Sequence, residues 1–177
     1  MTRAIFDVNV LGAINGTKAV APGMVGRGSG HIVNVASAVG RLAVADGATY
    51  SASKFAVVGF SEATRAELAP CGVDVSVVLP TVVRTELSAG VSAAKGIKSV
   101  SADDVAKVIE AVVRKPKAEV WVPRWTQGLT KVTQALPRRV QDVMGSMTNA
   151  DRVLAQADPA ARAAYEERAR RSAGPTH

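Results

Sequence analysis

Two short runs rich in valine, separated by one long helical pattern, constrain the fold of this chain most strongly. Residues 31–35 and 73–79 are apolar runs of strand length, and a helical pattern lies between them from Tyr50 to about Ala69. Two strands joined through a helix pair in parallel, with a right-handed crossover. The sequence therefore predicts a βαβ unit, the basic element of an α/β fold.

Further predicted elements extend this unit in both directions. A helix is predicted over residues 2–24, and a later helix is capped by Ser101 and stopped by Pro116. A short strand is predicted over residues 119–122. Together these elements predict a partial Rossmann-like, doubly wound parallel sheet, consisting of three strands with flanking helices. We expect residues 1–124 to form this unit and residues 125–177 to form a basic helical C-terminal extension.

Three polar residues are predicted to meet at the carboxyl edge of the sheet. Ser37 ends the first strand segment, while Tyr50 and Lys54 stand one turn apart at the start of the following helix. A tyrosine titrates near pH ~10, but a nearby cation favours its phenolate form. Because ligands of open α/β sheets bind at this edge, the sequence predicts an active site there, with Lys54 lowering the pKa of Tyr50.

Four segments, in this order, carry a resemblance to a known family: Asp7–Gly12, Asn34–Ser37, Tyr50–Lys54 and Leu79–Thr85. Their residues and spacings resemble the C-terminal, catalytic half of short-chain dehydrogenases/reductases over about two-thirds of the chain. The resemblance implies an NAD(P)-dependent oxidoreductase that interconverts an alcohol and a ketone or aldehyde. It also implies a small-molecule alcohol or ketone as substrate.

The resemblance assigns catalytic roles to four residues. Tyr50 would be the general acid/base, and Lys54 would lower its pKa and hold the nicotinamide ribose. Ser37 would orient the substrate oxygen, and Asn9 would hold a water molecule in a proton relay. From the residues alone, Asn9 is equally well explained as a polar residue that bends a helix.

The same resemblance places five residues at the cofactor: Tyr50, Lys54, Pro80, Val83 and Thr85. From the residues alone, Thr85 also fits a helix cap. The family usually has glycine after the proline, where this chain has Thr81. A side chain at this position would crowd the cofactor in this loop.

The glycine-rich, pyrophosphate-binding half of such folds is not recognisable in this sequence. The segment Gly26–Gly30 follows a helix and precedes a strand, which is typical of a helix end and turn. The acidic residue that distinguishes NAD from NADP is not found either, so the choice of cofactor stays open. We expect these 177 residues to be inactive alone. The alternative is a non-catalytic remnant that acts as an interaction protein.

Charge and composition limit the partners of this chain. Its net charge is +7, and residues 114–177 alone carry +6, which allows peripheral contact between a membrane and the basic tail. The alternative is a solvated extension that packs on the body or on a partner. Clustered aromatic residues that would stack on bases are absent, which argues against a nucleic-acid partner. The resemblance implies a homo-oligomer formed through the helices of residues 2–24 and 50–69.

The remaining composition favours a reducing, cytoplasmic location. The single cysteine, Cys71, excludes an internal disulfide, and the sequence shows neither a signal peptide nor a long apolar segment. The two histidines, His31 and His177, have no metal-ligand spacing, so no metal site is predicted.

Overall fold

The sheet has three parallel strands in the order β1–β2–β3, as the sequence predicts. This computed structural model describes residues 2–85, 88 and 96–148. The strands are β1 (Gly30–Val35), β2 (Val73–Pro80) and β3 (Glu119–Val122). Gly30 pairs with Val73 and Val77 pairs with Glu119, so β3 lies beside the carboxyl half of β2.

Helices follow each strand and precede the first. They are α1 (Thr2–Phe6), α2 (Gly12–Gly26), α3 (Ala48–Leu68), α4 (Ala102–Arg114), α5 (Trp125–Ala135) and α6 (Arg138–Thr148). The predicted helix over residues 2–24 is present, but Asp7–Leu11 is a π-helical segment between α1 and α2. The predicted capping box is present too: the Ser101 hydroxyl accepts from the Asp104 N–H, and the Asp104 carboxylate accepts from the Ser101 N–H.

Helices cover both faces of the sheet because successive strand residues point in opposite directions. On one face, Val57 and Val58 of α3 pack with Val77, Leu79 and Trp121. On the other face, the buried Val105 of α4 packs against the alternate strand residues Val78 and Val122. The two apolar clusters confirm the predicted doubly wound arrangement.

Two helices follow β3. The helix α5 contacts β3 and buries Thr126 and Thr130, and α6 begins after Pro137. The division of the chain at residue 124 stays a prediction, and residues 149–177 of the predicted helical extension lie outside the described residues.

Candidate active site

Ser37 lies immediately beyond β1, at the carboxyl edge of the sheet, and is buried. Its hydroxyl caps the short turn Ala38–Gly40 by accepting a hydrogen bond from the Val39 N–H at 3.3 Å. The same hydroxyl lies 3.4 Å from the Pro80 carbonyl oxygen at the end of β2. The Tyr50 side chain lies near enough for this hydroxyl to lower the tyrosine pKa. The structure therefore brings together Ser37, Tyr50 and the end of β2, as predicted from the sequence.

The turn after Ser37 lies unusually close to α3. A Cβ added to Gly40 would lie 2.8 Å from the Lys54 carbonyl oxygen and 2.9 Å from a Val58 methyl carbon, closer than such atoms pack. The glycine therefore allows the backbone that carries Ser37 to approach the helix that carries Tyr50. Gly40 was not identified from the sequence, although a glycine shortly after a strand is a signal of such an approach.

Tyr50 and Lys54 lie on the same side of the first turns of α3. The Lys54 ammonium nitrogen is 5.6 Å from the centre of the Tyr50 ring. Burial raises the pKa of Tyr50, and the nearby Ser37 hydroxyl partly opposes that rise. Burial lowers the pKa of Lys54. The expected lowering of the Tyr50 pKa by Lys54 is not seen, because burial disfavours the charged form of each side chain.

Asn9 reaches this cluster from the π-helical segment. Its amide nitrogen donates to the Ser53 hydroxyl at 3.0 Å, and that hydroxyl donates to the Tyr50 carbonyl oxygen at 2.7 Å. Such π segments within α-helices occur often at functional sites. Ser53 is fully buried and was not singled out from the sequence, although its position three residues after Tyr50 indicates the same side of the helix.

The loop after β2 contributes less directly to the cluster. Val83 forms an isolated parallel bridge with Val100, and Thr85 is exposed. The hydroxyl of Thr81, which replaces the usual glycine, lies 3.3 Å from the Val122 carbonyl oxygen of β3. No described hydrogen bond joins Val83 or Thr85 to Ser37, Tyr50 or Lys54. Their contact with a cofactor stays a prediction.

Two other polar residues of β1 have structural partners. The Asn34 amide donates to the Ser61 hydroxyl of α3 at 2.9 Å, and His31 bonds the Ser76 hydroxyl at 2.7 Å. Within the part of the chain that the structure describes, no group of three His, Cys, Asp or Glu side chains is arranged to hold a metal. None of the described helices is long and apolar enough to cross a membrane.

Taken together, the fold and the site define a Rossmann-type α/β chain with a serine, tyrosine and lysine at the carboxyl edge of a parallel sheet. The family model described as short chain dehydrogenase matches residues 2–96, which is more than half of the chain. The chain therefore belongs to the short-chain dehydrogenase/reductase family.

Several relatives and one solved structure illustrate this membership. The chain is 38% identical to a dehydrogenase/reductase SDR family protein 7-like of Drosophila melanogaster, over 63% of this chain and 37% of that protein. It is 36% identical to the ketoacyl reductase HetN of Nostoc, over 76% of this chain and 48% of that protein. A short-chain dehydrogenase of Burkholderia cenocepacia, solved in complex with NADP, matches with a TM-score of 0.70 and 28% identity, over 84% of this chain and 60% of that one. The chain thus spans less than half the length of these two curated relatives.

Proposed function

We propose that this chain forms the catalytic part of an NAD(P)-dependent oxidoreductase that interconverts an alcohol and a ketone or aldehyde. The observation that carries the proposal is the proximity of the Ser37 and Tyr50 side chains at the carboxyl edge of the sheet. Two hydroxyl groups held together there can both bind a single substrate oxygen. The names of the relatives, a ketoacyl reductase among them, agree with this reaction class.

In this proposal Tyr50 is the general acid for reduction and the general base for oxidation. Because burial raises its pKa, Tyr50 is protonated at neutral pH and can donate a proton to a carbonyl oxygen. Ser37 donates a second hydrogen bond that orients this oxygen. A nicotinamide cofactor, when bound, supplies the hydride to the carbonyl carbon or accepts it from the alcohol carbon.

The chemistry of Lys54 fits a cofactor with free hydroxyl groups. The lysine is partly buried, and its pKa is lowered by burial with no carboxylate among the described residues to oppose the shift. A buried ammonium without an acidic partner is stabilised by oxygen acceptors, which the hydroxyls of a nicotinamide ribose provide. We assign the cofactor contacts to Tyr50, Lys54, Pro80, Val83 and Thr85. The proposal includes both NAD and NADP, since no described residue distinguishes them.

Replacement of Tyr50 by phenylalanine tests the proposal. The protein should be expressed with whatever coding sequence precedes Met1, and its oxidation of NADH and NADPH measured against a panel of ketones and aldehydes. Tyr50→Phe should lower the rate about 100-fold or more, because the proton donor is lost while the ring remains. Dinucleotide affinity, measured by fluorescence titration, should change little. A variant that kept more than about a tenth of the rate would rule out Tyr50 as the general acid.

A further inference from the structure

The helix α5 buries two threonines and exposes its large apolar residues. Its buried positions are Thr126 and Thr130. An adjacent side of the helix carries Trp125, Leu129 and Val132, which are 53%, 42% and 60% exposed. These three residues lie at spacings of four and three, so they form one stripe along the helix. We call them the α5 stripe.

A second exposed stripe follows on α6. Val140, Val143 and Met147 are 42%, 57% and 73% exposed, again at spacings of three and four. The chain thus presents two consecutive helices with outward apolar residues. We call these three residues the α6 stripe.

The charges around the two stripes identify the kind of surface that fits them. Residues 124–148 contain four arginine or lysine residues, Arg124, Lys131, Arg138 and Arg139, and one acidic residue, Asp142. Two copies of this surface would bring like charges together, which opposes self-association. An anionic lipid surface complements both features, since its headgroups attract the basic side chains and its acyl boundary accepts the apolar ones.

We propose that α5 and α6 bind peripherally to an anionic membrane surface through the two stripes. A tryptophan such as Trp125 suits this place, because its ring prefers the boundary between headgroups and acyl chains. The helices lie in the plane of the surface, each being only 11 residues long. Arg138 and Arg139, at the start of α6, provide headgroup contacts beside the exposed valines. This proposal is independent of the oxidoreductase activity.

Vesicle sedimentation with the 177-residue chain tests the proposal. The chain should bind vesicles of phosphatidylcholine mixed with phosphatidylglycerol, and should not bind pure phosphatidylcholine vesicles. Replacing both arginines, Arg138→Gln with Arg139→Gln, should weaken binding roughly 30-fold, because each basic residue near an anionic surface strengthens binding by roughly fivefold. The fluorescence emission of Trp125 should shift to shorter wavelength on binding. This shift should be absent in Trp125→Phe, because the emission of the buried Trp121 should not change on binding.

The double variant Leu129→Ser with Val132→Ser tests whether the apolar residues of the α5 stripe contribute to vesicle binding, because it keeps every basic residue. It should lose vesicle binding, whereas the matched control Val113→Ser, which removes an exposed valine from α4, should bind as the parent does. Circular dichroism checks that each variant keeps its helices. The proposal would be overturned if the double variant bound anionic vesicles as strongly as the parent, or if the parent did not bind them. If the parent does not bind vesicles, and light scattering shows a dimer of the parent that the double variant does not form, the stripes are an interface between copies instead. This outcome would also overturn the proposal.

Discussion

Lys54 is a partly buried ammonium group whose pKa is lowered by burial. In the unfolded chain a lysine has a pKa of ~10.4, so between the lowered folded value and ~10.4 the unfolded state binds more protons. The free energy of unfolding therefore rises with pH within that window because of this group. A residue that suits cofactor binding thus destabilises the protein at neutral pH.

Replacement of Lys54 by methionine should separate these two effects. At pH 7 the unliganded Lys54→Met protein should be more stable by about 1 kcal/mol, since an apolar chain replaces a buried charge. The same change should weaken activity and dinucleotide affinity together. Urea unfolding between pH 7 and 9 is the measurement, with Lys18→Met on the exposed side of α2 as the control that should leave stability unchanged. A Lys54→Met protein less stable than the parent at pH 7 would contradict this account.

At the scale of elements, two serines of α3 each accept a hydrogen bond from an asparagine of another element and donate one to a carbonyl of α3 itself. Ser53 accepts from Asn9 and donates to the Tyr50 carbonyl, whereas Ser61 accepts from Asn34 and donates to the Val57 carbonyl. Both serines are buried, but only the first pair touches the turn that carries Tyr50. The pairs therefore provide a test and its own control.

Each serine, replaced by alanine, should lower the free energy of unfolding by a similar amount, about 1–3 kcal/mol, because an amide donor is left without its partner. Ser53→Ala should in addition alter the pH profile of carbonyl reduction, since it loosens the attachment of the Tyr50 turn to the π-helical segment. Ser61→Ala should leave that profile unchanged. Identical pH profiles for both variants would show that Ser53 is only a structural residue.

The same elements show how far the sequence alone can predict this structure. Val-rich runs and caps are local signals, so the three strands and the helix after Ser101 were predicted to within a few residues. Ser53 and Gly40 also contact residues distant along the chain, namely Asn9 and Lys54, and a local pattern does not identify these partners. The burial of Tyr50, which raises its pKa, was not predicted from the sequence, because burial depends on packing.

Polar contacts also join elements that the sequence pattern treats separately. Arg41, shortly after Ser37, donates to Glu119 of β3 at 2.6 Å and forms an ion pair with Glu62 of α3. Glu119 in turn accepts a hydrogen bond from the Trp121 indole at 2.6 Å. Because Arg41 and Glu119 are far apart along the chain, the sequence did not predict their ion pair.

At the scale of the whole molecule, an exposed apolar surface on α2 and α3 bears on assembly. Phe55 is 43% exposed and Val20 is 44% exposed, whereas Val58, three residues after Phe55 on α3, is buried against the sheet. The remaining exposed residues still agree with the expected homo-oligomer formed through the first helix and α3. This assembly stays a prediction.

Phe55→Glu should convert such a dimer into a monomer, because it places a charge within an apolar interface. Light scattering at micromolar concentration measures the change in mass. Val113→Glu, which adds the same charge to an exposed apolar position on α4, should leave the mass unchanged. A parent protein that is monomeric under these conditions would exclude the dimer.

The last prediction concerns the affinity of a polypeptide limited to these 177 residues for NAD(H) or NADP(H). Lys54, Val83 and Thr85 are assigned only to the nicotinamide end. A glycine turn at a helix N-terminus, which would hold the pyrophosphate, is not recognisable in the sequence. The remaining contacts must offset several kcal/mol of freedom lost on binding, so we expect a Kd in the millimolar range or weaker, about −4 kcal/mol. Calorimetry on this polypeptide is the measurement, and the same titration should give tighter binding once a glycine-rich strand–turn–helix segment of a family member is supplied. Micromolar binding by the polypeptide alone would mean that its own residues, or those of a second copy, hold the pyrophosphate.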